Sequence, residues 1–146
     1  MKRLIAFVLC VMLLVSSIPY AYAAEKSTYR NVWVMENGIT VTEEIIIEND
    51  SRAVQKPVTC RRTYRDEDQD LMAIIAMYVV FQYDGSTVRV VSKSMTQTDT
   101  YNGWNYEHNS YVTVGGKVTT KFYLSKTLYS QLFSFSVTCD KDGNIT

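Results

Sequence analysis

The feature that most constrains this chain is the spacing of its apolar residues, which beyond the first 23 positions follows a period of two. Successive side chains on a strand point to opposite faces, so such alternation calls for extended segments with one buried face. Ile39, Val41, Ile45 and Ile47 alternate with Thr40, Thr42, Glu44 and Glu48. Val118, Thr120, Phe122 and Leu124 share one face of residues 117–124, and Phe133, Phe135, Val137 and Cys139 alternate with Leu132, Ser134, Ser136 and Thr138. Residues 104–114 read as a further strand. Between these segments stand Asn37-Gly38, Asp84-Gly85 and Gly115-Gly116, pairs that tolerate the positive φ of a tight hairpin turn. Residues 49–56 are polar and read as a loop, and Pro57 marks where the next strand begins.

Residues 71–83 form an almost unbroken apolar run that fits either a buried helix or a strand covered on both faces. Met72, Ala73 and Ala76 favour the helix, whereas Ile74, Ile75, Tyr78, Val79, Val80 and Phe81 favour the strand. The Asp84-Gly85 pair and the alternation of Val88 and Val90 with Thr87 and Arg89 make a strand pair the better fit. Seven or so short strands predict an all-β chain, an antiparallel two-sheet β-sandwich that is Ig-like in general build. Its expected core holds Val41, Ile45, Phe81, Trp104, Phe122, Phe135 and Val137.

The first 23 residues read as a targeting signal and 24–146 as the single folded domain. Lys2 and Arg3 precede an apolar run over residues 4–15, and Ala21-Tyr22-Ala23 supplies the small side chains of a cleavage site. The run falls short of the roughly 20 residues that span a bilayer. Cleavage after Ala23 is expected, with a secreted product that does not stay inserted in a membrane. Leu9 stands before Cys10 where a lipidation signal needs a small residue. Charge offers no partner: Lys plus Arg and Asp plus Glu both number 15, and losing the signal leaves two fewer bases than acids. The cations are scattered, which argues against nucleic acid.

Cys60 and Cys139 remain after cleavage, and the alternation puts each on an apolar strand face. An exported pair of this kind can form a disulfide, and two buried free thiols are the alternative.

The motifs Phe81-Gln82-Tyr83-Asp84-Gly85-Ser86-Thr87, Tyr101-Asn102-Gly103-Trp104, Gly115-Gly116-Lys117-Val118-Thr119 and the closing Ser136-Val137-Thr138-Cys139-Asp140-Lys141-Asp142-Gly143-Asn144 occur in that order. In this the C-terminal half resembles short secreted β-rich proteins of unknown function from Firmicutes-type bacteria. Members of that class carry a cysteine shortly after the Gly-Ser-Thr turn, where this chain has Val90. The resemblance therefore leaves Cys60 as either a replacement partner for Cys139 or an unpaired thiol. It implies no activity, and a bacterial source would empty the sequons at Asn49 and Asn144 of meaning.

Chemistry is thinly represented. His108 is the one histidine, and no Ser or Cys stands beside it in a nucleophile context, so no catalytic residue is assigned. One His and two distant Cys make no zinc set. Asp66-Glu67-Asp68-Gln69-Asp70 and Asp140-Lys141-Asp142-Gly143-Asn144 resemble calcium loops, but the first lacks the glycine and the second the distal glutamate. Both read as solvated turns, and no cofactor or metal is expected. The most suggestive segment is the candidate binding edge of Tyr101, Trp104, Tyr106, His108 and Tyr111, interleaved with amides. Such faces can stack on sugar rings or anchor a protein. A non-enzymatic extracellular module that binds a glycan or protein, or serves a structural role, is the leading expectation. A small secreted hydrolase of cell-wall or other extracellular polymer is the alternative.

Overall fold

A computed structural model describes residues 25–49 and 54–146; the expected signal segment lies outside them. The described residues form eight strands and no helix. In chain order these are β1 (Glu25–Val34), β2 (Thr40–Asn49), β3 (Gln55–Arg65), β4 (Leu71–Tyr83), β5 (Val88–Thr100), β6 (Asn105–Val114), β7 (Lys117–Lys126) and β8 (Tyr129–Thr138). They make two antiparallel sheets, one in the order β1-β2-β3-β4-β5 and the other in the order β6-β7-β8. The chain is all-β as expected among the described residues, and the apolar run of residues 71–83 is β4, an interior strand paired on both sides.

Each strand pairs with its neighbour in sequence, so both sheets are simple meanders. An Ig-like build requires Greek-key connections. That part of the expectation is therefore corrected: strands adjacent in sequence are adjacent in each sheet, and the chain passes from the larger sheet to the smaller through residues 101–104.

The alternation seen in the sequence is the burial pattern of the structure. Ile75, Met77, Val79 and Phe81 of β4 meet Val118, Phe122 and Leu124 of β7 and Phe133, Phe135 and Val137 of β8 in one buried cluster. Tyr64 of β3 packs edge-on against Phe122 and Phe133, with ring centroids 5.9 and 4.9 Å away, which ties the two sheets together. Such pairs add about 0.5–1.5 kcal/mol beyond the burial of area. Of the expected core residues Trp104 is the exception, being only half-buried.

Two local details differ from the sequence reading. The β4–β5 connection is four residues and not two, because the Asp84 carboxylate accepts the N–H groups of Ser86 and Thr87 at 2.9 and 2.7 Å. The β7–β8 turn carries no sequence signal. It is two residues long, Thr127 and Leu128, with Thr127 at φ 54°.

Candidate functional site

In a meander, alternate turns fall at the same end of the sheet. The β1–β2, β3–β4 and β7–β8 turns and the crossing segment before β6 all line one open cleft of about 590 Å³. That volume suits a small ligand or a few rings of a polymer. Ile39 and Met72, both buried in the core, form its apolar part. Asp66, Glu67 and Asp68 come from the β3–β4 turn of the larger sheet. Trp104, Lys126, Thr127 and Tyr129 come from the crossing segment and the smaller sheet.

The aromatic pair is built by packing. Trp104 meets Tyr129 edge to face, with centroids 5.7 Å apart and planes at 88°. Lys126 places its ammonium 5.9 Å from the centre of the indole. The indole N–H is buried without a hydrogen-bond partner. Asn37 closes one side by donating its amide to Gln131 at 2.7 Å and to the Tyr129 hydroxyl at 3.5 Å. Tyr129 in turn donates to Gln131.

The Glu67 side chain lies close over a glycine. Gly38 has φ +79°, and a Cβ there would fall 3.0 Å from Glu67 Cδ, so the bare backbone lets the acidic side chain lie across the β1–β2 turn. Asp66 accepts the Asp70 N–H at 2.9 Å, which fixes its carboxylate.

The five residues of the expected binding edge do not make one site. Trp104 lines the cleft. Tyr101 is exposed in the preceding turn, where its carbonyl accepts the Trp104 N–H. Tyr106, His108 and Tyr111 continue along β6, one bulge at Asn109 keeping Tyr111 on the same face. Tyr106 packs on Phe122 at 5.4 Å, and desolvation pushes its hydroxyl up to about 12. His108 is exposed and lies 4.5 Å from the Tyr111 ring. Tyr111 lies beneath Lys93, whose ammonium is 5.8 Å from the ring centre, and burial raises its hydroxyl as well.

Neither thiol is bridged. Cys60 and Cys139 are both free and buried, which leaves the disulfide alternative unfulfilled in this structure. Cys60 sits in the middle of β3 and donates to Glu43 at 3.6 Å; burial, reinforced by that carboxylate, pushes the thiol up to about 12. Cys139 lies just past β8, where its N–H donates to the Gly116 carbonyl.

The two acidic stretches behave as turns. Asp140 uses one carboxylate oxygen for the N–H groups of Asp142 and Asn144 and the other for the Asn144 amide, which holds its acid below the ordinary value. Among the described residues there is no group of three or more His, Cys, Asp or Glu placed to hold a metal.

Sequence reasoning passed over a second feature. Glu43 and Arg62 are direct cross-strand partners on the inward face, with side chains only 12% and 15% exposed. Arg62 Nε donates to Glu43 at 2.8 Å and Nη1 to the Ser134 carbonyl of β8 at 3.0 Å. Its guanidinium lies 4.9 Å from the Trp33 ring and 5.0 Å from Phe135. A signal was present, since both charges interrupt an otherwise apolar period-2 face. Tyr129 and Lys126 had no such signal, because only the unforeseen tight turn brings them beside Trp104. Comparison with protein families, curated proteins and solved structures gives no match.

Proposed function

We propose that this chain is an exported, non-enzymatic binding module, a two-sheet sandwich spanning residues 24–146 that holds an extracellular glycan in the cleft at its turn-bearing end. The observation that carries this reading is the Trp104–Tyr129 pair, two rings at right angles in an open cleft with polar groups around them. An aromatic face matches the C–H side of a sugar ring, and neighbouring carboxylates and amides match its hydroxyls. Of the other aromatic residues of the expected edge, the exposed Tyr101 and His108 would extend contact to a longer chain, whereas Tyr106 and Tyr111 are half-buried along β6 and lie outside the cleft lining.

Binding is favoured over hydrolysis by the placement of the acids. Glycoside cleavage uses two carboxyl groups flanking the bond, about 5–9.5 Å apart. Here Asp66, Glu67 and Asp68 are consecutive residues of one turn, and the facing wall is Trp104, Lys126 and Tyr129.

Titration with a glycan array tests the reading. Wild type is expected to bind, while Trp104→Ala and Tyr129→Ser lose binding and keep the β-rich circular dichroism spectrum. His108→Ala weakens it less. Equal binding by all three variants and wild type, or turnover of a wall polymer, would overturn it. Export is checked separately by mass spectrometry of culture supernatant, where Ala24 is the expected first residue.

A further inference from the structure

Resting on that reading of the cleft, we infer that its ligand is a sugar bearing a free, protonated amine, whose ammonium takes the place that Lys126 holds over Trp104. The π-face of an indole attracts cations, and the Lys126 ammonium stands 5.9 Å from its centre. Lys126 is exposed at the end of β7, beside the two-residue turn, so its side chain can give up this place to solvent.

The surrounding charge favours another cation. Three carboxylates, Asp66, Glu67 and Asp68, line the cleft against the single ammonium of Lys126, leaving the walls negative. Ile39 and Met72 make its inner part apolar, which strengthens the field that those acids project. The Asp70 N–H keeps the Asp66 carboxylate in place, and the bare backbone of Gly38 leaves room for Glu67 to lie across the turn. A neutral sugar gains the ring contact and hydroxyl hydrogen bonds but no charge pairing with the acids. An amino sugar gains the ring contact and the carboxylates, whereas an acidic sugar is repelled.

Calorimetric titration of the full chain with four probes decides it: a glucosamine tetramer, its N-acetylated counterpart, a glucose tetramer and a lysine tetrapeptide. The glucosamine tetramer is expected to bind about tenfold more tightly than the other three, with the margin shrinking in high salt. Lys126→Met should tighten it severalfold, and the Asp66→Asn, Glu67→Gln, Asp68→Asn triple variant should erase the preference. Thermal melting by circular dichroism checks that each variant is folded. Preference for the acetylated or glucose tetramer, or weaker amine binding by Lys126→Met, overturns the amine while leaving the glycan reading in place wherever Tyr129→Ser abolishes binding. Lysine peptide bound as tightly as the glucosamine tetramer overturns the sugar. No sugar bound by wild type defeats both readings.

Discussion

Arg62 holds a position on the inward face of its sheet that is normally given to an aliphatic side chain. Its guanidinium answers Glu43 and the Ser134 carbonyl and lies against Trp33 and Phe135, so the charge is paired, hydrogen-bonded and covered. Removing one partner of such a pair strands the other, at about 3–5 kcal/mol, whereas replacing both by apolar groups is often neutral. Urea denaturation should therefore show Arg62→Met strongly destabilised and the Arg62→Met, Glu43→Leu double variant substantially recovered. Cys60, beside this pair, and Tyr106, on β6, have acid groups raised by burial. The unfolded chain ionises them near their ordinary values of 9.0 and 10.0, while the folded chain holds both protons to about 12. Their contribution is complete below about pH 9 and lost as pH rises towards 12. The urea midpoint should fall over that window, less steeply in Cys60→Ala and Tyr106→Phe. The alternation foretold most of the buried residues, including Val41, Phe122 and Val137. Trp104 escaped it because it precedes β6 at the end of the sheet, where a period says nothing about coverage.

At the level of strands and turns, the β4 assignment succeeded because the glycine-marked turn after it left the chain nowhere to go but back. The β7–β8 connection was invisible for the opposite reason. Its first turn residue has positive φ, a place suited to glycine, yet it is a β-branched threonine. Strain of this kind costs about 1–3 kcal/mol, so Thr127→Gly should raise the thermal midpoint. Gly116 is the converse case. A Cβ there would collide with the Cys139 carbonyl oxygen and the Val88 side chain. Gly116→Ala should destabilise by about 2 kcal/mol or more and loosen the C-terminal segment, which hydrogen exchange at Cys139 would report. Bulges were equally unreadable. β5 skips a residue against β4 twice, near Val91 and near Thr96, and a bulge leaves no period of its own.

Over the whole molecule, two sheets are two contiguous stretches of chain joined through residues 101–104. The sheets hold each other through Tyr64, Phe122, Phe133 and the Arg62 bond to β8. The C-terminal segment adds Lys56 to the Gly143 carbonyl at 2.5 Å and Gly85 N–H to the Lys141 carbonyl at 2.9 Å. Opening the backbone between Asn102 and Gly103, through an inserted protease site, should leave both pieces together in gel filtration with the β spectrum retained; separation of the pieces would contradict the packing described. The cleft was only partly legible for this reason. Trp104 and the acidic run were both visible in sequence, but their meeting depends on the sheets lying face to face, which alternation does not dictate. The meander also sets an order of events for a chain that emerges amino end first. Every strand of the larger sheet after β1 finds a partner already outside, and that sheet can be completed before residue 101 appears. Its inner face, with Ile75, Met77 and Phe81, must then wait uncovered until β7 and β8 follow. That interval is when the nascent protein is most open to aggregation or to a chaperone.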